Sequence, residues 1–382
     1  MDLLLSLYNV RLYAESPPEL RGELFTSRGD ARHVNAPDRV RGALEVFAQL
    51  LWNPTQVNDL ALAAACRAVA EWAEDHSFPV TAVGYAEAAA RLLPEDPEMA
   101  NLAGRACRRA GERARAELWY ERGLGLARRA GNVLEYVNGH LGFGNLLRDH
   151  GEYGRALRWI KRAGVSARKG GLRESGAEAL HDAFTLAYLR EDLARASSLV
   201  RRAARVYPIH ARRVPYLGAD LSLLLARRGL YDLALELLQL VQSHLTAPVE
   251  SLQIWGLTAY AAGGMGNREV FAAALRHVEQ MAERYGEASA GALAYAAAGA
   301  HLMQDWSTAD RLIGEAIRRA AGDTLSEELA ARVARDISVR SPGVPPPPEQ
   351  DPATAALRGL VPEVAARLRR WRGPTWRPRK KQ

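Results

Sequence analysis

Arg105, Arg108 and Arg148 are the side chains whose type and spacing first suggest chemistry, because Asn101 and Asn145 stand within one helical turn of them. A guanidinium can offer two parallel hydrogen bonds to one carboxylate, and an Asn amide donates and accepts along an extended peptide backbone. Asn138, His181 and Tyr188 extend the set. Together they would recognise an acidic stretch or a peptide carboxylate. Catalysis is not indicated: HExxH, GxxxxGK[ST] and GxSxG are all missing, and of the nine His only His140 and His150 share a hairpin. Gly139, Gly142 and Gly144 follow no strand, so they are read as close-packing positions rather than a phosphate loop. Gly263, Gly264 and Gly266 are read as a helix end and turn. Cys66 and Cys107 have no CxxC partner and read as core residues, so no metal and no cofactor are expected.

The element that would position these groups is clearest in VNGHLGFGNLLRDHGEYGRALRWIKRAG, residues 137–164. Gly144, Leu147, Gly151, Ala156, Ile160 and Ala163 follow helical steps on either side of a turn at His150-Gly151-Glu152. Such a stretch predicts two helices meeting through small side chains, with Gly151 at positive φ ending the first. The pattern recurs. The residue opening the apolar face of the second helix falls at 82, 116, 156, 196, 234, 271 and 309, a period of 34 to 40 residues.

This pattern resembles the tetratricopeptide repeat, whose signature is a helix pair of about 34 residues with small and large apolar residues at fixed spacing and a terminal Pro. The likeness covers roughly residues 55–321 and is best at 144–163, 104–123 and 222–241. Repeats near 40 residues are similar to the longer ones of bacterial regulators, although no helix-turn-helix motif flanks the array. The resemblance implies an all-α fold, a right-handed α-solenoid of about seven hairpins with a concave, peptide-binding surface. Counting from the packing positions adds Arg67, Glu71, Arg227, Tyr260 and His301 to the groove. Arrays of this family that hold C-terminal carboxylates use Lys and Asn, and the match here is one of residue type only.

The expected organisation is an N-terminal cap over residues 1–54, the array over 55–321, a capping helix over 322–341, a Pro-rich linker over 342–352 and a basic tail over 353–382. Within the cap, residues 2–13 could form a short amphipathic helix. The formal charge of +7 belongs to the tail, whose seven Arg and two Lys against Glu363 give +8 and leave residues 1–352 near −1. A nucleic-acid surface spread over the whole molecule therefore loses its main support. Residues 353–371 are expected to form a helix with Leu357, Leu360, Val361, Val364 and Leu368 on one face. Arg367, Arg369, Arg370, Trp371 and Arg372, followed by Trp376, Arg377, Arg379, Lys380 and Lys381, interleave indole with cation and suit phosphates, an acidic surface or the array's own groove. With no apolar run of eighteen residues and no basic leader, neither a membrane span nor a signal peptide is expected, and the cytoplasm is the default compartment. Two functions follow: a non-enzymatic scaffold holding a protein or peptide, or alternatively a nucleic-acid-associated regulator whose tail contacts phosphates while the array senses a partner.

Overall fold

The computed structural model describes residues 10–11, 13, 38–53, 56–76, 78–340 and 351–373. Most of the 2–13 segment, the Pro-rich linker up to 350, and Trp376, Arg377, Arg379, Lys380 and Lys381 lie outside the described residues. Two compact units divide the chain, Met1–Leu146 and Leu147–Gln382. The first holds α1 (Asp38–Trp52), α2 (Asp59–Asp75), α3 (Pro79–Leu92), α4 (Pro97–Arg109), α5 (Arg113–Arg129) and most of α6 (Val133–Asp149). The second holds α7 (Tyr153–Lys169), α8 (Arg173–Leu189), α9 (Leu193–Val206), α10 (Val214–Arg227), α11 (Tyr231–Gln242) and α12 (Pro248–Gly264). It continues with α13 (Arg268–Tyr285), a short 3-10 turn, α14 (Ala290–Leu302), α15 (Trp306–Arg319), α16 (Thr324–Ser338) and α17 (Pro352–Arg370). Every regular element among the described residues is helical, and within each unit helices stack mainly on their sequence neighbours, the all-α solenoid pattern.

Local chemistry sets the helix ends. Pro79, Pro97, Pro248 and Pro352 stand in first turns, where a missing N–H goes unneeded. Asn58, Asp96, Asp192, Asn267 and Asp305 cap N-termini by accepting from backbone N–H groups. At the 151 turn the Glu152 N–H reaches the Leu147 carbonyl and the Gly151 N–H reaches Arg148, with Gly151 at φ 73°. That pair of bonds satisfies two helix-end carbonyls and needs a left-handed residue between them. Two hairpins make the same turn without glycine, placing Glu191 at φ 60° and Gln304 at φ 62°.

The periodic small residues are the contact points the spacing predicts. Ala82, Ala116, Ala156, Ala196, Ala234 and Ala309 are at most 1% exposed, and Phe271 fills the same position in the hairpin of α12 and α13. Gly104 and Gly142 receive the Tyr120 ring between them, since a Cβ would meet it at 2.8 Å and 2.3 Å. The reading of Gly263 and Gly264 as a helix end needs correction, because both lie inside α12 and only Gly266 takes positive φ, at 67°. A Cβ on Gly263 would stand 2.2 Å from the Gly299 carbonyl oxygen and one on Gly264 would strike Tyr231. Their role is to let the backbones of α12 and α14 touch.

Two features of the second unit break the nearest-neighbour rule. The Tyr153 hydroxyl at the start of α7 donates to Glu328 of α16, 175 residues later. The helix α17 returns to lie on α9, α10 and α11, burying Leu357, Leu360, Val361, Val364 and Leu368 to 3% exposure or less. A segment assigned from its charge to a tail is thus, for its first nineteen residues, part of the core of the second unit.

A candidate functional site on the first helices of the second unit

The eight groove residues expected from the sequence fall into two sets, one in each unit. In the first unit, Asn101 on α4 is buried and its amide donates to the backbone carbonyl and the carboxylate of Glu135, both at 2.9 Å. Asn138 donates to the other oxygen of the same carboxylate at 3.0 Å. Burial pushes the Glu135 carboxyl up, the two amides oppose that, and Glu98 and Asp96 reinforce it. Asn101 and Asn138 thus hold α4 to α6. Arg105 pairs with Glu74 at 3.2 Å and with Glu71 at 3.9 Å, and Arg109 joins Glu74 at 3.3 Å. Arg67 pairs with Glu71 and Glu98. Arg108 is half-buried on the same helix, and Asn145 half-buried on α6. Cations that read as hooks for an acidic ligand are therefore matched by glutamates one repeat earlier, which the alignment of separate helices alone brings near.

Glu87 on α3 shows how far this matching goes. Burial alone would raise its pKa, but hydrogen bonds from Arg115 and from the Trp119 indole at 2.9 Å, with the charges of Arg115 and Arg91, hold it below the usual range. Burial, followed by the charge of this carboxylate, pushes the Cys107 thiol up to about 12, and burial raises Cys66 further still. Both thiols are inert core groups, as expected.

In the second unit Arg148 pairs with Asp149 at 2.7 Å. His181 is 1% exposed, bonded through Nε2 to Asp220 at 2.8 Å and through Nδ1 to the Tyr207 hydroxyl at 3.2 Å. Beside it the buried Asp182 meets Arg213 at 2.9 Å. Burial would raise this acid, and the charges of Arg213, Arg148 and His181 outweigh it and lower it. Glu178, one turn away, is pushed up to about 7, chiefly by burial and, against the pull of Arg213, by Asp182 and Glu174. His181 therefore belongs to a buried polar knot between α8 and α10. His301 is likewise buried, against Trp306.

Tyr188 leads to a different surface. The Arg227 guanidinium of α10 lies 5.4 Å over its ring. Tyr260 of α12 stacks on Tyr295 of α14 with centroids 6.2 Å apart. All three phenols are pushed up, first by burial, and the positive charges of Arg227 and of Arg332 on α16 act on each of them. Five successive stacked helices thus present phenol, guanidinium, phenol, phenol and guanidinium to one region, flanked by Asp220. Neutral hydroxyls can donate to carboxylates and backbone carbonyls, and guanidinium groups bind carboxylates in pairs.

Sequence reading reached Tyr188, Arg227 and Tyr260 and missed Tyr295, Arg332 and Tyr153. Relative to the register residues Phe184, Ala259 and Ala297, the three aromatic positions are +4, +1 and −2, one turn back at each step. A stripe followed diagonally across repeats would have found Tyr295. Arg332 was hidden because its helix was assigned to a cap.

The tail's described cations are largely used within the fold. Arg367 donates to the Tyr207 carbonyl at 2.9 Å, and the Trp371 indole donates to the Ala211 carbonyl at 3.0 Å and lies edge-on to His244. Arg369 stands 3.9 Å from Glu236, Arg370 is exposed, and Arg372 donates to backbone carbonyls. Phosphate contact through Arg367 and Trp371 is corrected accordingly: both are anchors that seat α17. No described helix is long and apolar enough to cross a membrane. Neither a protein-family model nor a curated protein matches the chain.

Proposed function

We propose that the chain is a non-enzymatic, cytoplasmic scaffold that captures a protein segment or peptide on the Arg–Tyr face of the second unit, of the kind the tetratricopeptide resemblance implies. The observation that carries this reading is the convergence of Tyr188, Arg227, Tyr260, Tyr295 and Arg332 from five stacked helices. Side chains held on rigid helices lose little entropy on binding, so such a face favours an extended acidic or carboxylate-ended ligand. The test is selection of peptides from a displayed random library on the full chain. Selected peptides should be acidic, and Arg332→Glu should weaken them on the order of 10-fold or more with an unchanged melting temperature. Equal binding to Arg332→Glu would refute the assignment.

The second reading, a nucleic-acid-associated regulator, draws on Arg369, Arg370 and Arg372, which are exposed at the end of α17. It requires a steeply salt-dependent affinity for duplex or single-stranded DNA or RNA that is lost when residues 374–382 are removed and these three are changed to Ala.

A further inference from the structure

The helices α7, α8 and α9 enclose an open groove of about 670 Å³. Its floor is apolar, with Leu157 and Ile160 from α7, Leu180 and Ala183 from α8, and Leu199 from α9. Val165, on its wall, is 41% exposed. Its rim is cationic: Lys161 and Arg168 stand on one side, Arg195 and Arg202 on the other, all four exposed. No acidic residue is among its described lining residues.

The next helices along the chain, α9, α10 and α11, build the corresponding groove, and α17 lies in it. Its N-cap Asp351 is held at 2.6 Å by Arg228, and Leu368 comes within 3.1 Å of where a Cβ on Gly218 would stand. A shift of 38 residues brings Ala196 onto Ala234 and superposes the two grooves in sequence. By that shift Arg228 corresponds to Arg190, which lines the end of the open groove. Both follow the last residue of their helix and precede a left-handed turn residue, Gly229 or Glu191. The grooves differ at the rim, where Leu233 and Leu240 of α11 are replaced by Arg195 and Arg202 of α9.

We propose that the groove of α7, α8 and α9 docks an amphipathic helix from an acidic partner protein, seated as α17 is seated one repeat further on. In this arrangement Arg190 holds the carboxylate that caps the incoming helix, the apolar floor takes its Leu and Val face, and the four rim cations face flanking Asp and Glu. Charge selects that occupant. A second copy of α17 would bring Arg358, Arg367, Arg369 and Arg370 against like charges and is disfavoured. The groove shares no residue with the Arg–Tyr face, so each assignment stands or fails without the other.

The experiment uses the full chain and two synthetic labelled helices that share the apolar spacing of α17. One carries Asp and Glu at the remaining positions with an Asp cap, and the other carries Lys and Arg. Fluorescence anisotropy should show saturable, salt-sensitive binding of the acidic helix alone. The double variant Arg195→Glu/Arg202→Glu should weaken it on the order of 10-fold or more and allow the basic helix to bind, and Arg190→Ala should weaken it severalfold. These side chains are exposed, so the fold is retained, which circular dichroism checks. As a second test, Ala183→Trp should plug the floor and lower affinity while leaving the rim charges in place. Absence of saturable binding, equal affinity for the two helices, or indifference to the charge reversal would overturn the proposal. So would saturable uptake of oleate that the reversal abolishes without any helix binding, which would make the groove a fatty-acid site.

Discussion

Replacing Gly263 by Ala tests whether the contact of α12 with α14 sets the stability of the second unit. The new Cβ would lie 2.2 Å from the Gly299 carbonyl oxygen and 2.5 Å from its carbonyl carbon, where ordinary contact begins at 3.4 Å. The opposing atoms are backbone, so no rotamer change relieves them, and α14 is itself held by α15 and α16. Separating the helices by about 1 Å along this seam exceeds an ordinary overpacking substitution, which costs typically 1–3 kcal/mol. Helix propensity acts the other way by about 1 kcal/mol. The net expectation is a loss of about 2–3 kcal/mol, or roughly 5–10 °C in melting temperature for a unit of this size. Gly359→Ala is the matched control: a Cβ there meets nothing within 4 Å, so the same substitution should stabilise by up to about 1 kcal/mol. Both are read from urea unfolding by far-ultraviolet circular dichroism. An unchanged or raised midpoint for Gly263→Ala would refute the close-approach account.

Glu178 makes stability depend on pH. Its folded pKa of about 7 lies above the ordinary 4.5, so the native state retains a proton that the unfolded chain has released, and its contribution is complete below 4.5 and lost as pH rises through 7. Glu178→Gln should flatten that decline and raise stability at pH 8 by at most about 3 kcal/mol, and an unaltered slope between pH 4.5 and 7 would count against it. Glu191 occupies a left-handed turn position at φ 60°, so Glu191→Gly should gain up to about 1 kcal/mol by relieving it, read as a shift in melting midpoint. Arg105→Glu would set three carboxylates together beside Glu71 and Glu74 and should cost about 1 kcal/mol, with Glu74→Lys in the same chain restoring it. Ala156, fully buried, should tolerate Trp poorly, with a loss of several kcal/mol, roughly the upper end for overpacking, in the same unfolding assay.

The face that supports the proposed capture was only half legible beforehand. Tyr188, Arg227 and Tyr260 could be reached by counting along helices, because a helix of known register shows which side chains its own hairpin leaves over. Arg105 and Asn101 show where such counting stops. Their partners Glu74 and Glu135 belong to other repeats, and whether a cation is spent on a neighbour depends on how far apart two stacked helices stand.

By itself the sequence determined the helices, their turns and the small contact residues at 82, 116, 156, 196, 234 and 309, since these follow from periods and propensities acting within some forty residues. Tertiary structure alone decided that Gly263 admits a backbone, that Tyr153 reaches Glu328 and that α17 fills one groove while an equivalent one with an arginine rim stays open. The reason is physical: local rules place a side chain on a face of its own helix, but only the stacking of helices distant along the chain determines what that face meets.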